Sequence, residues 1–169
     1  MSLPRPQKIV RIVHQVREAD KSLTFSNADS GPIGGSSGNL FLVGLPGSGR
    51  RALADAVSGA LGLTRVQAAT ALELRRVLED SGQAVAVMDH ELLADPDLTA
   101  AVRASGKVFY LMSVAPILAK SLGDLSRLEE LAALVERMEP HFLRAAHFIL
   151  PLASSREEML ADVLEKARL

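Results

Sequence analysis

The stretch that most restricts this chain is NLFLVGLPGSGRRALADAVSGALGL, Asn39 to Leu63. Leu40–Val43 is a continuous apolar run, as expected of a strand buried on both faces of a parallel sheet. A Gly-rich turn follows, and then a helix over Arg50–Leu61 with Leu53, Val57 and Leu61 on one face. An apolar strand that turns sharply into a helix leaves few choices beyond an α/β fold.

The same alternation continues to the C-terminus. Strands are expected at Leu63–Val66, Ala84–Met88, Val108–Met112 and His147–Leu150. Between them, helices are expected at Ala68–Asp80, Asp97–Ser105, Ala115–Leu122 and Leu125–Ala146, with a last one at Ser155–Ala167. SGQ at Ser81–Gln83 and Gly106 act as breakers. Ser154 and Glu157 have capping-box spacing. Short apolar strands alternating with helices imply a parallel sheet covered on both faces.

Residues 1–38 read differently. Ile9, Ile12, Val13 and Val16 recur at helical spacing and favour one amphipathic helix, with Val10 leaving a strand possible. SNADSGPIGGSSGN, Ser26–Asn39, is a Gly/Ser-rich linker. The chain therefore divides into an arm with its linker, 1–38, and a core domain, 39–169. The opening MSL is set apart from fold reasoning. An apolar arm on a flexible tether is expected to pack on a core domain, with a homodimer through the arm favoured.

Composition narrows the function classes. The 169 residues give one ordinary core, at 48% hydrophobic and 23% charged. A net charge of −1 makes no case for nucleic acid or an anionic membrane as partner. There is no cysteine, hence no disulfide framework, and four scattered histidines have no metal-ligand spacing. No segment reads as a signal peptide or a membrane span, which makes the cytoplasm the expected location.

The Gly-rich turn has the spacing of a phosphate-binding loop: Gly, four residues, Gly, Lys, then Ser or Thr. Here the glycine framework is Gly44, Gly47 and Gly49, with Ser48 between the last two. Its backbone N–H groups are expected to converge on phosphate oxygens at a helix N-terminus. The lysine and hydroxyl positions hold Arg50 and Arg51. Arg50 keeps the positive charge on a wide planar fork. Arg51 supplies no oxygen, so the usual magnesium ligand is missing. The apolar strand Ala84–Met88 closes on Asp89 and His90. Asp89 has the place of a magnesium-facing acid, and His90 that of a base or phosphate contact. The competing reading has Asp89 or His90 capping the next helix, near Glu91. The ligand implied is ATP or another phosphate-bearing small molecule, with magnesium in doubt.

From Asn39 onward the chain resembles shikimate kinase, a small P-loop kinase family. NLFLVGLPGSG resembles its opening strand and loop. LGL at Leu61–Leu63 sits at its entry to the second strand. ASGKVFYLMSVAPILAKSL, Ala104–Leu122, resembles the segment leading to the lid, and MEPHFLRAAHFIL, Met138–Leu150, the final helix and strand. The resemblance implies a three-layer sandwich around a five-stranded parallel sheet in the order 2-3-1-4-5. It also implies ATP-dependent phosphorylation of an alcohol, yet the departures fall on that chemistry. The family's Asp-x-Asp falls on Arg65, Val66, Gln67 and Ala68. The substrate-binding helices are largely missing between Gln67 and Gln83. The family's Gly triplet falls on Met88, Asp89 and His90, and its lid shrinks to Gly123–Arg127. The arginine two places before the helix proline is Met138, with Arg137 turned by about 100° around the helix. Arg127 as a lid cation competes with Arg127 as a solvated surface residue. Two readings result: a degenerate kinase-fold protein serving as a binding or regulatory module, or an active phosphotransferase for another acceptor, with Arg50 on the phosphates and Asp89 on magnesium or as base.

Overall fold

The computed structural model describes residues 23–24, 38–80, 83–151 and 154–168. Strands are β1 (Leu23–Thr24), β2 (Asn39–Val43), β3 (Thr64–Ala68), β4 (Ala84–Met88), β5 (Gly106–Leu111) and β6 (Phe148–Leu150). Helices are α1 (Arg50–Leu61), α2 (Ala71–Glu79), α3 (Pro96–Ser105), α4 (Ala115–Leu122), α5 (Leu128–Ala145) and α6 (Arg156–Lys166), with 3-10 turns at His90–Ala94 and Leu125–Arg127.

The sheet runs β1-β6-β5-β2-β4-β3. Every pairing among β2 to β6 is parallel. Numbered along the core domain, these five strands have the order 2-3-1-4-5, as the resemblance implied. One strand was not foreseen as such: β1, from the arm, adds antiparallel to β6, with Leu23 opposite Ile149 and Thr24 opposite Phe148. The helix expected around Ile9–Val16 lies outside the described residues.

β2 shows why an unbroken apolar run becomes the centre of this fold. Its side chains alternate between faces, and both faces are covered. Phe41 and Val43 join Leu74, Val102, Leu118, Met138 and Phe142 in a core under α2 to α5. Leu40 and Leu42 join Leu53, Val57 and Val163 in a second core under α1 and α6. Stacked Phe109 and Phe148, 5.1 Å apart, fill the second core, while Tyr110 tilts on Phe142 at 5.0 Å in the first. Removing one such fully buried ring costs about 3–5 kcal/mol.

The lower edge of the sheet is stitched by side chains. Asn39 accepts from the Ala84 amide and donates to Ser105 Oγ, each at 3.1 Å. Arg103 Nη1 donates to the carbonyls of Arg144, Ala145 and Ala146, where α5 ends. Lys107 Nζ donates to those of Lys166 and Ala167, where α6 ends. Both place a cation against the negative end of a helix dipole.

The sequence limits hold for α1, β4 and α4, and shift elsewhere for local reasons. β3 runs on to Ala68, whose carbonyl accepts from the Asp89 amide at 2.8 Å and extends the ladder. α2 therefore starts at Ala71, capped by Thr70 Oγ1 accepting from the Glu73 amide. α6 is capped by Ser155, not Ser154, and its partner is the Glu158 amide. Residues 125–127, expected within one long helix, form a separate 3-10 turn ahead of α5, with Asp124 accepting from the Ser126 amide.

Candidate functional site

The C-terminal ends of parallel strands are where such sheets hold ligands, and three elements meet there. β2 ends at Val43 and the chain turns through Gly44 to Gly49 into α1. Gly47 (φ 89°) and Gly49 (φ 87°) adopt the left-handed conformation that favours glycine. Ser48 donates its amide to the Leu45 carbonyl at 3.1 Å, closing the turn. α1 has no side-chain cap. Its leading amides thus stay without the side-chain acceptor that Thr70 or Ser155 gives its own helix. Ser48 Oγ turns back against Gly44 and has no hydrogen-bond partner among the described residues.

Arg50 is the centre of the arrangement. It is only 7% exposed. Its Nη1 donates to the Gly44 carbonyl at 2.6 Å and to the Met88 carbonyl at 2.7 Å. The guanidinium thereby ties the start of the loop to the last residue of β4. Burial, and secondarily Arg51, push its pKa down to about 10, with Asp89 pulling the other way. It is cationic at neutral pH. The next residue, Arg51, is exposed.

Asp89 and His90 arrive from the neighbouring strand end. Asp89 Oδ1 accepts from the Glu91 amide at 2.9 Å, so the carboxylate caps the 3-10 turn His90–Ala94. His90 is largely covered: its side chain is 15% exposed. Its Nδ1 is buried with no hydrogen-bond partner among the described residues. Burial above all holds its imidazole below the usual histidine range, against the opposing pull of Asp89 and Glu91. It is therefore the neutral imidazole at pH 7.

Two cavities share Pro46 and His90. One, of about 480 Å³, is lined by the loop, Arg50, Arg51, Asp89 and Arg156. The other, of about 420 Å³, is walled by His90, Glu91, Arg127, Glu130 and Arg137. In the second, Arg137 forms a two-pronged pair with Glu91, Nη2 to Oε1 at 2.6 Å and Nη1 to Oε2 at 3.0 Å. This pair lowers the Glu91 pKa. Arg127 pairs with Glu130 one helical turn on and remains partly exposed.

The structure thus gathers Gly44, Gly47, Ser48, Gly49, Arg50, Arg51, Asp89 and His90 at one edge. Sequence reasoning missed Arg156 and Glu91. Arg156 opens the helix after the last strand, so its place at the ligand edge was readable from the strand-helix alternation. Glu91 was legible only as a neighbour of His90.

No protein-family model matches the chain, and no curated protein matches it. Solved structures do. The shikimate kinase of Acinetobacter baumannii, in complex with shikimate, superposes with a TM-score of 0.65 at 14% identity, covering 76% of this chain and 90% of that one. The shikimate kinase of Bacteroides thetaiotaomicron gives 0.65 at 14% identity, over 78% and 98%. The YorR protein of Bacillus subtilis, in complex with phosphorylated GDP, gives 0.62 at 14%, over 78% and 96%. The fold is that of the shikimate kinases. At such identity the likeness concerns the shikimate kinase-like fold alone, and the chemistry has to come from the residues present.

Kinases of this fold imply magnesium, a hard cation that takes oxygen ligands. The donor set does not fit it. The loop hydroxyl is replaced by Arg51. Asp89 spends Oδ1 on a backbone amide and faces the charge of Arg50. Among the described residues no three of His, Cys, Asp and Glu gather into a metal site. Among them, too, no helix is long and apolar enough to cross a membrane.

Proposed function

We propose that this chain is a phosphate-binding module on a P-loop kinase fold, which binds a nucleotide or another phosphate-bearing small molecule without phosphorylating shikimate. The observation that carries the reading is the double tether of Arg50 to Gly44 and Met88. A lysine in this place extends to the β- and γ-phosphates. Here the cation is spent on holding the loop to β4, and it contributes field rather than reach. Phosphoryl transfer rests on positioning and on neutralising charge that develops late. A fixed guanidinium, an arginine in place of the hydroxyl at position 51 and a capping Asp89 leave the reacting phosphoryl group without that positioning.

The left-handed glycines and the uncapped α1 support retention of anion binding. The second cavity supports a different occupant from shikimate. The Glu91–Arg137 pair satisfies its arginine internally, and Glu130 sits beside Arg127. The division of the chain fits a module: residues 39–169 form the phosphate-binding domain, and the arm, 1–38, which adds β1 to that domain's sheet, is the part proposed to engage a second copy. The test combines two measurements. Calorimetry with ATP and ADP should give saturable binding. A coupled ADP-release assay at saturating shikimate, ATP and magnesium should give none of the ~1–10³ turnovers per second of ordinary enzymes. Turnover in that range overturns the reading, and so does a complete absence of binding.

The second reading, an active phosphotransferase for another acceptor, is favoured by one observation. The neutral His90 lines both cavities, where an imidazole would serve as base toward an acceptor hydroxyl.

A further inference from the structure

The cavity above the loop carries an unusual charge pattern. Three arginines line it: Arg50, Arg51 and Arg156. All three sit in the first turn of a helix, Arg50 and Arg51 in α1 and Arg156 in α6. Cations are disfavoured there, because the helix dipole already presents positive charge. α1 has no acidic residue in its first turn to offset this. α6 has Glu157 and Glu158, yet neither lines the cavity. A chain that places three cations against two helix N-termini breaks a local rule at one spot, and such breaks mark function. The lining opposes this with the single carboxylate of Asp89, and His90 is neutral. The formal balance is three arginines less one aspartate, a surplus of two positive charges. That surplus equals the charge magnesium brings to a nucleotide.

We propose that the cavity takes the metal-free phosphate chain of a nucleoside di- or triphosphate, or of an inorganic polyphosphate, with Arg51 and Arg156 supplying the charge that magnesium supplies in related kinases. This rests on the phosphate-binding reading above and specifies its ligand. Arg50 adds its field from a buried position and keeps both carbonyl bonds. Arg51 and Arg156 are exposed and bring forked donors suited to phosphate oxygens. A nucleotide already chelated by magnesium arrives with two of its negative charges met and with phosphate oxygens held by the metal, so magnesium competes with the arginines for those oxygens.

The experiment is calorimetry on the full chain with ATP and with inorganic tripolyphosphate, in EDTA and in excess magnesium. ATP should bind about tenfold or more tightly in EDTA, and Arg156→Ala should lose about tenfold in EDTA while changing little in magnesium. Arg156→Lys should recover part of the loss. Arg156 is exposed, and circular dichroism of each variant checks that it folds. Tripolyphosphate binding as tightly as ATP identifies the phosphate chain as the whole ligand; ATP binding more tightly adds the nucleoside. Equal or tighter binding in magnesium, or an Arg156→Ala variant that binds like the parent in EDTA, overturns the inference while leaving the phosphate-binding reading standing. No binding of either probe under either condition overturns both.

Discussion

Arg50 Nη1 donates to the Met88 carbonyl at 2.7 Å, joining two residues 38 positions apart in sequence. With the second bond to Gly44, it turns what the loop pattern marks as a ligand-facing cation into an internal brace. Removing it strands two strand-end carbonyls and leaves a hole. Arg50→Ala is expected to cost about 2–4 kcal/mol in urea unfolding. Arg50→Lys keeps the charge but not the fork and should cost about 1–2 kcal/mol. A cost near zero for Arg50→Ala would show that the brace is dispensable.

A paired restoration probes the same site through binding. Arg50→Lys together with Arg51→Thr rebuilds the lysine and hydroxyl of the loop pattern. This double variant should bind ATP more tightly with magnesium than without, reversing the order expected of the parent chain. An unchanged order would place the metal preference elsewhere than in the loop.

His147 makes stability depend on pH. It is buried, and its Nδ1 accepts from the Val108 amide at 3.0 Å. Burial, helped by Arg103 and Lys107, pushes its pKa down to about 4. The folded pKa lies below the unfolded value of about 6.5, so the unfolded chain binds the extra proton between them. Its contribution is full above pH 6.5 and is lost as the pH falls toward 4, by up to about 3 kcal/mol. His147→Asn retains an acceptor that does not titrate, and should flatten the pH dependence of the urea midpoint across that window. An unchanged slope would assign it to other groups.

Two glycines should respond in opposite senses. A Cβ on Gly106 would stand 2.1 Å from the Asn39 carbonyl oxygen, where β5 lies against β2. Gly106→Ala should therefore destabilise by several kcal/mol, in the range of about 1–3 for overpacking or more. Gly59, exposed inside α1 with nothing within 4 Å, should gain about 0.5–1 kcal/mol as alanine. Thermal melts of the two variants settle both signs.

The sequence disclosed what depends on local pattern. The apolar run at Leu40–Val43 and the Ala84–Met88 strand were readable because burial on both faces leaves no polar interruption. The strand order came with the resemblance, and the sheet bears it out. What stayed hidden depends on distant partners. A guanidinium at position 50 reads as phosphate-facing until β4 brings the Met88 carbonyl beside it. Asp89 fits a magnesium-facing acid and a cap equally well in sequence, and only the Glu91 amide reveals the cap. β1 pairs through two residues of backbone, which leave no side-chain pattern to read. Arg156 stood in a helix start that was assigned, and its general place at the ligand edge was readable, but that it lines one cavity with Arg51 shows only in the folded chain.

The most direct test is electron density at the loop in crystals soaked with ATP in the absence of metal. The predicted result is a phosphate group seated at the amides of Gly47, Gly49 and Arg50, with Arg51 and Arg156 on its oxygens and Arg50 still bonded to Gly44 and Met88. Density for Arg50 swung away from Met88 onto the phosphates, or an empty loop at saturating ATP, would contradict it.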